Sequence, residues 1–228
     1  MSKHMVDISL DTIEETIDKV DIKVKDIEAE NIINRFKSGI EDIKQKFELL
    51  ENTSVDKNIE EYIFRSQIAF LMGSVDFYIH EIIKYSILKM FNGEKVKTKK
   101  YHQFTIYIQT LEKAIANPES TDWLEEVVIS VTKYKTYMKA KSIKEALELV
   151  SNKKIYKDVC KELELTEKEV DDRVKEIFTR RNEIVHQTDI DMITKEVNDI
   201  TYEFVKESID FIESLIINIH ENIVNDIL

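Results

Sequence analysis

Apolar positions recur every three or four residues along most of this chain, the spacing that gathers them on one side of an α-helix. From Ala29 to Glu51, Ile33, Phe36, Ile40, Ile43, Phe47 and Leu50 form one stripe. "NTSVD" breaks it, and Asp56 or Asn58 can cap the helix that follows. Residues 58–92 hold the longest apolar segment, and nothing interrupts it before Asn92-Gly93, a C-terminal stop signal. Its apolar groups nearly encircle it, which predicts the central, most buried helix. Arg65, Ser74, Asp76, His80 and Glu81 lie within that helix and each needs a polar partner.

Beyond a basic loop, "EKVKTKK", the spacing predicts helices from Tyr101 to Ala116 and from about Thr121 to Tyr137. "KSIKEALELV" and "KKIYKDVCKELEL" read as two shorter helices. Thr166 and Glu169 have the capping-box spacing and open a helix carrying Val170, Val174, Ile177, Phe178 and Val185. A last helix, about 190–226, is marked by Ile193, Val197, Ile200, Phe204, Phe211, Leu215, Ile219 and Ile223. Residues 10–28 carry helical spacing too, although "VDIKVKDI" alternates as a strand would. Seven or eight helices with short connections predict an all-α, up-and-down bundle with long central helices. Residues 29–228 form its domain, and residues 1–28 form a helical N-terminal extension.

Composition supports this. Three glycines and one proline are too few for a protein of strands and tight turns. A single cysteine, Cys160, excludes an intrachain disulfide and a cysteine-cluster zinc site, and it reads as a small apolar group. No window approaches a membrane span and the first residues show no signal peptide, so a soluble cytoplasmic protein is expected. The net charge of −12 argues against a polyanion as partner, but it is unevenly spread. Residues 1–62 hold 16 acids and 9 bases, residues 187–228 hold 10 acids and 2 bases, and residues 63–186 hold 19 acids and 22 bases. Local potential, rather than net charge, steers a polyanion.

The candidate chemistry sits in that basic middle. No phosphate-cradling glycine loop, Gly-x-Ser-x-Gly elbow or metal-ligand histidine spacing is present, and nothing calls for a cofactor or metal. "VVISVTKYKTYMKAKSIK" has five lysines and no acid, with Tyr134 and Tyr137 interleaved. Lysines for phosphates and tyrosines for bases suit single-stranded RNA, so Lys133, Tyr134, Lys135 and Tyr137 are candidate contacts. A solvated helix face accounts for most of these lysines as well. The second feature is "TRRNEIVHQTD", in which Arg181 and Asn182 precede His186 on one helix.

The segment "SIKEALELVSNKKIYKDVCKELELTEKEVDDRVKEIFTRRNEIVHQTDID" resembles the HEPN superfamily, in particular the group called RiboL-PSP-HEPN. Members are α-helical bundles with an Arg-x(4–6)-His motif on a late helix, often with a polar residue after the arginine. Here the motif residues are Arg181, Asn182 and His186. "AFLMGSVDFYIHEII" also resembles this group's long early helix, and the likeness spans about residues 30–225. Arg180 lies at a permitted spacing too, but Arg181 is preferred because Asn182 follows it; Arg180 is left as a bystander or an RNA contact. One subgroup carries a tyrosine two residues after the histidine, where an antitoxin adds nucleotides. This chain has Thr188 there, which does not support that regulation.

The resemblance implies a metal-independent ribonuclease that works as a homodimer on RNA. Typical settings are toxin–antitoxin pairs and phage defence, with an antitoxin or defence protein as partner. Some members only bind or scaffold, so a non-catalytic RNA- or nucleotide-binding module is the alternative. Asn182 and His186 share a helix face, whereas Arg181 lies about 140° around from His186. One copy makes a sparse site, and two copies across a twofold seam would set two arginines and two histidines around one phosphodiester.

Overall fold

The computed structural model describes residues 26–51 and 55–227. The expected helix over residues 10–28, and nearly all of the proposed extension, lie outside them. Among the described residues there are eight α-helices, one 3-10 turn and a single isolated β-bridge. None of those helices is long and apolar enough to cross a membrane.

The helices are α1 (Ile27–Glu51), α2 (Lys57–Phe91), α3 (Ile108–Ala116), α4 (Asp122–Thr132), α5 (Ala140–Val150), α6 (Ile155–Glu162), α7 (Glu167–Gln187) and α8 (Tyr202–Val224). α2 is the axis, packing against α1, α4, α5, α7 and α8. Asp56 caps its start by accepting from the Asn58 N–H at 2.8 Å, and Gly93, at φ +81, turns the chain after its end. Leu71, Met72, Val75, Ile79 and Ile83 of α2 are fully buried.

α1 runs back along α2. Asp26 caps α1 through the Glu28 and Ala29 N–H groups, and its other oxygen accepts from Tyr85 Oη at 2.7 Å near the far end of α2. At the opposite end Phe47 stacks on Phe64, with ring centroids 5.5 Å apart, and Tyr202 at the start of α8 meets both rings edge-on. α8 then follows α2, so that His220 Nδ1 lies 3.2 Å from Tyr78 Oη. Lys95, buried after α2, donates to the Ile223 carbonyl at 3.2 Å and to Asp226 at 3.2 Å, closing the C-terminal end of α8. A cation there satisfies carbonyls that the helix cannot.

Three expectations change. The segment 101–116 is not one helix: Tyr101–Gln103 is a 3-10 turn, and α3 begins only at Ile108. α4 stops at Thr132, because the Asp76 carboxylate captures the Tyr137 N–H at 2.5 Å and holds the chain in a turn. The last helix starts at Tyr202 and not near residue 190. Residues 188–201 form a folded loop with an Ile190–Val197 bridge, in which Asp191 accepts from the Ile193 and Thr194 N–H groups at 2.8 and 2.7 Å.

Candidate active site

α7 carries Arg181, Asn182 and His186. Its start is the expected capping box: Thr166 Oγ1 accepts from the Glu169 N–H at 3.2 Å, and the Thr166 N–H donates to Glu169 at 2.8 Å. Its end is set by two successive left-handed residues, Thr188 at φ +55 and Asp189 at φ +59. The Asp189 N–H reaches back to the Glu183 carbonyl at 2.9 Å, satisfying a terminal acceptor of the helix.

Non-glycine residues resist that conformation. Here it is held by Asp189, whose side chain is 1% exposed. Its carboxylate takes both Nη atoms of Arg180, one of them at 2.8 Å, together with Arg65 Nε at 2.6 Å. Both guanidinium groups also donate to the Asn198 carbonyl, at 2.9 and 3.2 Å. Arg180 is thus no bystander: it pins the 188–201 loop to α7, while Arg65 pins the same loop to α2. Its donors are engaged inside the fold and are not held out to a ligand.

Arg181, one residue on, is turned about 100° from Arg180. It is half-buried, and its Nη1 donates to Asn182 Oδ1 at 3.1 Å. Its Nε is buried without any hydrogen-bond partner. Among the described residues no carboxylate forms an ion pair with it. A half-buried guanidinium left this way is costly to keep, unlike its saturated neighbour Arg180. His186 is exposed and makes no hydrogen bond or ion pair among the described residues. The structure therefore joins Arg181 to Asn182 but ties neither to His186. Val185 lies between them, 47% exposed.

The other candidates divide. Tyr134 is 87% exposed, with Lys133 Nζ 4.8 Å above its ring. Lys135 is exposed on a cleft of about 620 Å³ that it shares with Lys100, Tyr107 and Glu145. Tyr137 is buried; its ring meets His80 edge-on at 4.9 Å, and burial together with the Asp76 charge pushes its phenol up to about 12. It fixes the turn after α4 and does not present a stacking surface, a correction to its expected role.

Two lysines near α7 drew no role from the sequence. Lys139 Nζ lies 4.9 Å over the Phe178 ring, and Lys144 bonds Asp171 at 2.8 Å. The only signal for them was their place in the acid-free run. Cys160 is buried and its thiol is pushed up to about 11 by burial, which suits a packing role. Among the described residues no three His, Cys, Asp or Glu side chains cluster so as to hold a metal ion.

The family model RiboL-PSP-HEPN matches residues 27–225. No curated protein and no solved structure matches the chain.

Proposed function

The chain belongs to the RiboL-PSP-HEPN family, and from that premise we propose that it is an endoribonuclease whose active site is completed by a second copy of the chain. Family membership supports a role in cutting or binding RNA. The observation that carries the catalytic reading is Arg181: a half-buried guanidinium with an unpartnered Nε, linked to Asn182 and followed at motif spacing by an exposed, unengaged His186. Evolving a helix end merely to be stable would pair such a cation with one of the chain's 45 acids.

RNA brings its own nucleophile. One histidine takes the 2′-OH proton as the 2′ oxygen bonds to phosphorus. The bond from phosphorus to the 5′ oxygen breaks, and that oxygen takes a proton from the second histidine. The arginines, always charged and forked, stabilise the charge on the phosphoryl oxygens, and Asn182 holds Arg181 in place. The products are a 2′,3′-cyclic phosphate and a 5′-OH.

A surface for the second copy begins beside the motif. Ile59, Tyr62, Ser66, Phe70, Gly73 and Phe77 fall within about 80° of arc on α2. Tyr62, Phe70 and Phe77 are 71%, 60% and 47% exposed, and nothing lies within 4 Å of where a Gly73 Cβ would be. Tyr62 is one turn from Arg65, the residue that grips Asp189 at the end of α7. An apolar stripe of this length on an otherwise charged protein marks an interface. The cellular setting we propose is a toxin or phage-defence effector, held in check by a partner protein.

The test uses the full chain, labelled RNA and EDTA. The wild type is expected to cleave and leave a cyclic phosphate, and Arg181→Ala and His186→Ala to lower kcat by about 100-fold or more. Cleavage that persists in both variants sinks the assignment. Wild-type binding without cleavage would make the chain an RNA-binding module instead.

A further inference from the structure

A second basic feature lies at the far end of α7. The loop after α2 and the turn between α5 and α6 enclose a cleft of about 570 Å³, lined by Lys99, Lys100, Lys144, Lys153, Lys154 and Lys157. Only two acids line it, Glu148 and Glu167, in a chain of net charge −12. Lys100 pairs with Glu148 at 2.7 Å, Lys144 with Asp171 at 2.8 Å and Lys153 with Asp226 at 2.9 Å. Lys99, Lys154 and Lys157 are exposed and have no ion-pair partner among the described residues. α6 also starts in this cleft: Lys154 is its N-cap and makes no side-chain cap bond, so first-turn amides remain open to an anion.

The cleft and the motif lie on the same side of α7. At 100° per residue, Glu167, Asp171, Phe178, Asn182 and Val185 fall within about 60° of arc, with His186 about 40° beyond it. Lys144 sits on Asp171 and Lys139 over Phe178, so two cations step along this face toward Asn182. From Asp171 to His186 the helix rises about 22 Å, a distance that several nucleotides would bridge. The cleft beside Arg180 offers no such path. It opens on the other side of α7, where Asp172, Glu176, Glu183 and Asp199 outnumber Lys175 and Arg180.

We propose that the cleft at the α5–α6 turn anchors the phosphate backbone of single-stranded RNA, which runs along α7 over Lys144 and Lys139 to the motif. This rests on the ribonuclease reading for its ligand but not for its readout, which is binding. Lys99, Lys154 and Lys157 supply charge not held in an ion pair, and the open end of α6 supplies backbone donors. The one acid of its first turn, Asp158, lies near Lys154 and Lys157 but is bonded to Lys161 at 2.7 Å. Lys135, read from the sequence as an RNA contact, lines a neighbouring cleft that shares Lys100 with this one.

The experiment measures fluorescence anisotropy of a labelled single-stranded RNA on the full chain carrying His186→Ala, so that no cleavage intrudes. Adding Lys99→Gln, Lys154→Gln and Lys157→Gln together is expected to weaken binding at least tenfold. It should also reduce the slope of log K against log salt by about 2, the loss of three phosphate contacts to a single strand. A control triple, Lys37→Gln, Lys195→Gln and Lys206→Gln, makes the same charge change elsewhere and is expected to bind like the parent. Equal losses in both triples, an unchanged slope in the first, or no RNA binding by the parent overturn the proposal. Competition by polyglutamate as effective as that by RNA would overturn it in favour of an acidic protein. Since the ribonuclease assay reads product, a chain that binds through these lysines and never cuts would sink that reading and leave the track standing.

Discussion

Arg180 and Arg181 are adjacent and chemically identical, yet the fold gives them opposite conditions. Arg180 is saturated by Asp189, Asn198 and Asp199, while Arg181 keeps a buried Nε without a partner. The difference is one step of 100° on a helix, enough to turn one side chain onto the 188–201 loop and the other away from it. The motif residues were legible in the sequence because they are local. Asp189 was not, since its partner Arg65 is 124 positions away in the chain. Removing that carboxylate would leave two guanidinium groups, 12% and 14% exposed, without the one carboxylate they share, with the Asn198 carbonyl still between them and Glu61 still on Arg65. Asp189→Ala is therefore expected to cost about 3–5 kcal/mol, read as a shift of the urea midpoint against wild type. A loss under about 1 kcal/mol would show that the clamp is not what holds the loop.

Among elements, α2 shows how far periodicity reaches. An apolar segment that encircles its helix predicts burial all round, and α2 is indeed wrapped by five helices. One stripe, from Ile59 to Phe77, nonetheless stays largely exposed, with α1 reaching its margin through Arg35 over the Phe77 ring and Lys46 over the Phe70 ring. The seam of α2 with α8 carries a titration. Burial, with a further push from Lys37, lowers His220 to about 4, below the ordinary imidazole value of 6.5. The folded state then resists a proton that the unfolded chain accepts, so this contribution is complete above pH 6.5 and is lost as pH falls toward 4. The shift corresponds to roughly 3 kcal/mol. Urea unfolding at pH 7 and at pH 4.5 should show a loss of this order, much reduced in His220→Gln; equal losses in the two proteins would remove His220 as the cause. The misread ends have local reasons. Ile193, Val197 and Ile200 keep helical spacing by coincidence: Asp191 caps the Ile193 and Thr194 N–H groups as a helix start would, but Lys195 at φ +63 and the Ile190–Val197 bridge turn the chain back before a helix can propagate.

At the scale of the whole molecule, charge and apolar surface are segregated. The exposed α2 stripe starts near the end of α7, and the lysine cleft lies at the beginning of α7. This arrangement predicts a dimer that joins through α2 and leaves the clefts open. Light scattering of the wild type at micromolar concentration should give twice the chain mass of 26.9 kDa. Phe70→Glu with Phe77→Glu should give a monomer of unchanged helicity and no ribonuclease activity, because both side chains are exposed in the single chain. A wild-type monomer with full activity would end the composite-site reading.

The sequence by itself determined the all-α class, most helix positions, the cap at Thr166 and the spacing of Arg181, Asn182 and His186, and it narrowed the cap of α2 to Asp56 or Asn58. All of these depend on residues within one or two turns of each other, where spacing and side-chain type are sufficient. Only the tertiary structure decided that Tyr137 is buried, that Arg180 is a clamp and that Arg181 is left unsatisfied. It also decided that Lys139 and Lys144 line one face of α7. Those outcomes depend on which distant carboxylate, ring or carbonyl a side chain meets when helices far apart in the chain pack together, and no local pattern encodes that meeting.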